Sequence, residues 1–286
     1  MAFDLKTFLT RVGSAVVFAA IMLVGLLWNE WAFIGLFLLV TILALKEYRI
    51  LLEKIANVNF SKQEKANYMA VGIATYLVLI SLQINVCNNL INSMLNHAQF
   101  YFIGLLIGFL ILFFMFKKNA NANYLLSGIG YVALSLGLMV QLRYQSLLLP
   151  VILIFSIWIN DSMAYLTGSF IGKTKIAPSI SPKKTIEGTI GGILFTLVIV
   201  FIWGINTSWF PVWQWLVIGA IASIVGTIGD LVESKLKRMA DVKDSGNIMP
   251  GHGGALDRFD SLLFAAPFAF LFALLAIACF EFHVFG

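Results

Sequence analysis

Stretches of about 20 apolar residues recur from one end of this chain to the other, each long enough to cross a hydrocarbon layer of about 30 Å. Inside lipid every backbone N–H and C=O must find its partner within the chain, which leaves helices or closed barrels. Barrel strands are shorter and alternate apolar with polar residues, and no such pattern is seen. The sequence therefore predicts an all-α polytopic membrane protein. With 60% hydrophobic and 12% charged residues among 286, a water-soluble globular chain is excluded.

About nine spans fit, near 12–28, 31–45, 69–86, 100–116, 124–141, 147–168, 187–205, 212–230 and 260–282. Cationic residues test that number, because they concentrate on the cytoplasmic side. With the N-terminus cytoplasmic and the C-terminus outside, all of the 19 lysines and arginines except Arg143 fall on inner segments. The net charge of +5 is read in the same way, and nucleic acid is not expected as a partner. Cys87 and Cys279 lie far apart, so neither a disulfide framework nor a cysteine metal cluster is expected.

Two regions follow. Residues 1–145 read as a transmembrane scaffold with a cytoplasmic amphipathic connector over 46–66, taken as a surface helix at the headgroup level. This half carries little chemistry; lipid contact or an oligomer interface, a homodimer included, are its expected uses. Residues 146–286 read as the catalytic region, with cytoplasmic loops 169–186 and 231–259.

Charge, glycine and histidine gather over 229–261. Asp230 and Glu233 stand one turn apart at the inner end of the eighth span, and Asp257 and Asp260 repeat that spacing at the start of the ninth. Carboxylates on two helix ends suit Mg²⁺ bound to phosphate oxygens; salt bridges to Lys237, Arg238 or Arg258 are the alternative. Between them, Gly251, His252, Gly253 and Gly254 form a turn whose free N–H groups can cradle an anion. Asp161 lies within the sixth span, where a carboxylate costs about 2.5–3.5 kcal/mol and usually faces a polar cavity or a partner helix. Ser181 and Pro182 read as a helix N-cap and first helical position. Lys183 and Lys184 would then sit in the first turn, against the helix dipole, a placement that makes sense if a phosphate binds there. Gly188, Gly191 and Gly192 would let that helix pack closely on a neighbour.

At these residues the chain resembles the phosphatidate cytidylyltransferases (CDP-diacylglycerol synthases). The family pattern S-x-x-K-R-x4-K-D-S…P-G-H-G-G-x-x-D-R-x-D appears unbroken, as Ser234, Lys237, Arg238, Lys243, Asp244, Ser245, Pro250, Gly251, His252, Gly253, Gly254, Asp257, Arg258 and Asp260. The upstream elements D-[TS]-x-A-Y-x-x-G and S-P-K-K-T-x-E-G match at 161–168 and 181–188, with Ser162 where threonine is usual. The likeness covers roughly 150–265.

The resemblance implies transfer of CMP from CTP to phosphatidate at the inner (plasma) membrane, with release of pyrophosphate. Mg²⁺ would be the cofactor, a second, monovalent cation being left open. It places Asp230 and Asp257 on the metal with Asp260 in support, and Lys183, Lys184, His252 and the 251–254 turn on CTP phosphates. Lys237, Arg238 and Arg258 are candidates for the lipid phosphate, and Asp161 and Lys184 join Asp230 and Asp257 as catalytic candidates. The partners implied are CTP, phosphatidate and membrane lipids. Three rivals stand beside this reading: a CTP-dependent polyprenol or dolichol kinase-like enzyme, a transporter using Asp161 and Asp230 as intramembrane sites, and a lipid-binding surface of basic loops without catalysis, which leaves the unbroken carboxylate spacing unexplained. A transporter would show inverted hydropathy repeats, which the sequence lacks.

Overall fold

Runs this apolar bury their backbone polar groups by coiling, and helix dominates wherever the chain is described. The computed structural model describes residues 5–86, 121–249 and 253–280. Among these, the helices are α1 (Leu5–Leu27), α2 (Glu30–Ala56), α3 (Lys62–Val86), α4 (Asn121–Gly128), α5 (Ser135–Gln145), α6 (Leu148–Ile171), α7 (Ile186–Ile205), α8 (Val212–Ala220), α9 (Gly226–Met239) and α10 (Leu256–Phe280). π turns over Ile129–Leu134 and Ile221–Val225 join α4 to α5 and α8 to α9 without a break. Strands β1 (Lys175–Ala177) and β2 (Ser181–Thr185) form an antiparallel hairpin.

Five stretches among the described residues are long and apolar enough to cross a membrane: Leu125–Gln145, Leu148–Ile171, Ile186–Ile205, Val212–Met239 and Leu256–Ala276. Gly13–Leu27 is apolar but shorter. The expected span at 100–116 lies outside the described residues. The chain divides into two units, one drawn from within Met1–Leu82, Gly108–Val140 and Leu236–Phe259, the other from within Gln83–Ile107, Gln141–Lys235 and Asp260–Gly286.

In the first unit α2 is the central element. Asn29 caps it by accepting the Ala32 N–H at 2.7 Å, and left-handed Asn57 (φ 52°) closes it. The sequence predicts a headgroup-level connector from residue 46; instead α2 runs unbroken to Ala56, with Glu47, Tyr48, Leu51 and Leu52 buried. Helical spacing explains this, because Val40, Ala44, Glu47 and Leu51 lie on one stripe and Leu45, Tyr48 and Leu52 on the next. Tyr48 and Ser127 share a hydrogen bond at 3.1 Å, and the Phe37 ring packs edge-on against Phe259. A capping box at Ser61 and Glu64 starts α3, with reciprocal bonds of 2.7 and 3.2 Å.

In the second unit α6 and α7 pack backbone to backbone. A Cβ on Gly192 would stand 2.8 Å from the Asn160 carbonyl oxygen, and one on Gly188 2.7 Å from that of Ala164. The small-residue packing expected from the sequence is thus present. The helix start is not where the sequence places it. Ser181 pairs with Ala177 and Thr185 with Lys175 in the hairpin, so Pro182, Lys183 and Lys184 lie in a strand. The cap falls four residues later at Thr185, whose hydroxyl accepts the Gly188 N–H at 3.1 Å. Glu187 ties hairpin to helix by accepting the Lys173 and Thr174 N–H groups at 3.0 and 3.1 Å. Upstream of α9, buried Ser223 donates to the Gly219 carbonyl within the π turn at 2.7 Å, and Thr227 donates back to the Ser223 carbonyl at 2.6 Å. Hydroxyls bonding to preceding carbonyls bend and loosen a helix ladder, and a π turn is one outcome.

Candidate functional site

The second unit brings Lys184 and Asp230 together. The β2 ammonium forms an ion pair with Asp230 Oδ2, and Ser234, one turn along α9, donates to Asp230 Oδ1 at 3.2 Å. The two side chains keep 27% and 24% of their exposure, so the pair is partly hydrated and open to exchange partners. Gly229 lets α9 approach α10 closely: a Cβ there would stand 2.8 Å from the Asp260 carbonyl oxygen. Asp230 and Asp260 thus flank one helix–helix contact, while Glu233, further along α9, is fully buried. Lys183, next to Lys184 on the strand, is exposed. Asp161 is exposed on α6, and its neighbour Asn160 is the buried polar group, donating to Thr227 at 3.3 Å.

The first unit holds a second carboxylate centre. Asp257, in the first turn of α10, has a side chain 3% exposed and four donors around it. Lys237 Nζ reaches Oδ1 at 2.7 Å, while the Ser245 N–H, the Ser245 hydroxyl and the Gly254 N–H each reach Oδ2 at 2.8 Å. Three of these donors crowd the two lone pairs of Oδ2, while Lys237 takes Oδ1. Gly253 supports the turn with φ +83°, a left-handed conformation that suits glycine, and its carbonyl accepts the Met249 N–H at 2.9 Å. Pro250, Gly251 and His252 lie outside the described residues. Gly254, one of the expected anion donors, already donates to Asp257.

The three cations expected at a lipid phosphate divide. Lys237 pairs with Asp257, Arg238 donates to the Val242 carbonyl at 3.3 Å near the end of α9, and Arg258 is exposed. Arg258 lines a groove of about 430 Å³ with Val17, Phe18, Leu36, Val40 and Phe259 among its apolar walls. Among the described residues, no group of three or more His, Cys, Asp or Glu is placed to hold a metal ion. Asp230 has one partner on each oxygen, whereas Asp257 has one on Oδ1 and three donors on Oδ2.

Glu47 is the functional candidate that sequence reasoning missed. It lies on α2, 4% exposed, and binds the same turn as Asp257. Its signal was a carboxylate on an apolar stripe, a position where an unpartnered charge is costly.

A model of the cytidylyltransferase family matches residues 9–276. The chain is 53% identical over 122 residues to the phosphatidate cytidylyltransferase of Bacillus subtilis (strain 168), covering 42% of this chain and 45% of that protein. It is 40% identical over 148 residues to the protein of that name from Staphylococcus saprophyticus, covering 51% and 57%, and 42% identical over 149 residues to that of Staphylococcus haemolyticus, again covering 51% and 57%. The chain thus spans about half the length of the curated relatives it matches. With the family model matched along nearly all of its residues and the acid–lysine pairs in its motif segments, the chain belongs to the cytidylyltransferase family.

Proposed function

We propose that the chain transfers a cytidylyl group from CTP to phosphatidate, forming CDP-diacylglycerol and pyrophosphate. The observation that carries this is the 53% identity to a protein named phosphatidate cytidylyltransferase, joined to a site made of carboxylates and lysines. The lipid phosphomonoester, with a second pKa near 6, is largely ionised at neutral pH and needs no general base. Its obstacle is repulsion from the triphosphate, so the site's work is to neutralise charge and align an in-line attack on the α-phosphorus.

Lys184 is the residue assigned to CTP phosphates, with Lys183 beside it in sequence; the partly hydrated Lys184–Asp230 pair can open to an incoming phosphate. Arg258 is assigned to the lipid phosphate, because its charge stands over an apolar groove where an acyl chain is at home. Mg²⁺ is the proposed cofactor, and when bound it would offset the negative charge of the phosphates. Its assignment to Asp230, Asp257 and Asp260 remains part of this proposal, and at Asp257 the oxygen with fewer donors around it is Oδ1, beside the Lys237 ammonium. The proposal includes about nine crossings of the plasma membrane, a cytoplasmic N-terminus, an outer C-terminus and a site facing the cytoplasm.

The test is purified protein in detergent with phosphatidate and labelled CTP, with and without Mg²⁺. CDP-lipid and pyrophosphate, formed only with the metal, are expected. Release of CDP with a phosphorylated lipid alcohol would favour the kinase-like reading, and no nucleotide turnover would refute transfer altogether.

A further inference from the structure

Glu47 takes no part in the chemistry proposed above, yet its surroundings are built around it. Oε1 accepts the Ala255 N–H at 3.0 Å, and Oε2 accepts the Leu256 N–H at 2.8 Å and the Ser245 hydroxyl at 2.9 Å. The two amides open α10, so the carboxylate acts as the helix cap from a residue 209 positions upstream of Leu256. Gly246 and Gly254 flank it closely enough that a Cβ on either would overlap the carboxylate. A glycine is therefore required on each side of the turn for this acceptor to enter.

The link to Asp257 runs through Ser245. That hydroxyl lies 2.9 Å from Glu47 Oε2 and 2.8 Å from Asp257 Oδ2, and its single proton can satisfy only one of them at a time. The Ser245 and Gly254 N–H groups, on the two arms of the turn, both donate to Asp257. Each arm is thus held at one point by Asp257 and at an adjacent point by Glu47. Packing alone does not ask for this, because Glu47 sits on an apolar stripe of α2 that a leucine would fill without burying a charge.

We propose that Glu47 is a positioning residue for the transfer reaction: it fixes the 253–257 turn and, through Ser245, the orientation of the Asp257 carboxylate. The inference rests on the cytidylyltransferase reading. Two measurements on full-length protein in detergent test it, each on wild type, Glu47→Gln and Glu47→Asp. The first is hydrogen exchange at the Ala255 and Leu256 amides, which depends on no assumption about activity. Glu47→Gln turns one acceptor into a donor facing N–H groups, and should speed that exchange at least tenfold while leaving α6 and α7 unchanged. The second is steady-state kinetics per folded molecule. A kcat lowered at least tenfold, with the KM for phosphatidate within twofold, is expected for Glu47→Gln, and a smaller loss for the shorter but still charged Glu47→Asp. A purely structural role would lower the folded fraction and leave kcat per folded molecule intact.

Unchanged amide exchange, or a kcat within twofold of wild type in either variant, overturns the proposal. Should Glu47→Gln fail to fold, Glu47→Asp decides by the same criteria. Wild-type protein without CDP-lipid product would refute the transferase reading instead, and amide exchange would still decide whether the clamp exists.

Discussion

Replacing Asp257 by asparagine exchanges one oxygen for an NH2 group and deletes one charge, with a cost set by the four donors around it. Asparagine keeps a single acceptor. If its oxygen stays beneath the Ser245 N–H, the Ser245 hydroxyl and the Gly254 N–H, the new NH2 meets the Lys237 ammonium, donor against donor, where a 2.7 Å bond stood. The flipped amide would instead oppose the other three donors, which is worse. In the better arrangement Lys237, its side chain only 12% exposed, loses its counter-charge. Removing one member of such a buried pair costs about 3–5 kcal/mol. Against a total stability of about 5–15 kcal/mol this is a large fraction. At about 2–4 °C per kcal/mol, the Tm should fall on the order of 10 °C. Asp230→Asn makes the contrast. Its pair is 27% and 24% exposed and is worth about 0–1 kcal/mol, a shift of roughly 2 °C. Both variants should lose CDP-lipid formation, but only Asp257→Asn should lose heat resistance as well. Thermal unfolding in detergent, measured beside turnover, separates them. An Asp257→Asn protein melting within about 2 °C of wild type would show that its carboxylate does not hold the turn together.

Lys184→Ala should raise the KM for CTP or lower kcat, and unchanged kinetics at limiting CTP would remove its phosphate role. Gly254→Ala puts a methyl group into the Glu47 carboxylate and should cost about 1–3 kcal/mol, read as a lowered Tm; an unshifted Tm would deny the close approach. Arg258→Ala should raise the KM for phosphatidate at least fivefold and leave the KM for CTP unchanged, and the reverse pattern would reassign this cation to the nucleotide. Burial alone would raise the Glu53 carboxyl, but the Lys65 hydrogen bond and the Arg49 charge together hold it below its usual 4.5. A folded pKa lower than the unfolded one favours the native state at neutral pH, and that contribution fades as pH falls through the folded value. Between about pH 5 and about pH 3, wild type should therefore lose more Tm than Glu53→Gln; equal losses would show that the bridge between α2 and α3 adds nothing.

Much of this architecture was legible in the chain because it depends on local rules. The apolar runs expected near 147–168, 187–205, 212–230 and 260–282 are helical over Leu148–Ile171, Ile186–Ile205, Val212–Met239 and Leu256–Ala276, and the glycines at 188, 191 and 192 pack against α6 as their spacing foretold. Helix boundaries were harder. Ser181-Pro182 is a sound start signal, but the ladder with β1 claims that backbone, and Thr185 supplies an equally good hydroxyl one turn later. The Asp230–Lys184 pairing was half visible, as two charges flanking apolar runs, although its partners lie 46 residues apart by their numbers. Glu47 was hidden for a different reason. Lysines around it mimic an amphipathic surface helix, and its partners lie 198 to 209 residues downstream, where periodicity carries no information.

The π turn over Ile221–Val225 has a bearing on α9 beyond its own five residues. One residue more than a regular α turn leaves everything after it about 100° behind where an unbroken α-helix of the same sequence would place it. A helical wheel drawn straight through 212–239 would consequently assign Asp230 to the wrong azimuth. Removing a single residue from the bulge would restore a regular α ladder and leave Asp230 facing Lys184, whereas removing one from the regular turn between the bulge and Asp230 would swing it away by about 100°. Spacing in the primary structure and angular phase in the folded helix are separate properties at this site, and the bulge sets the second.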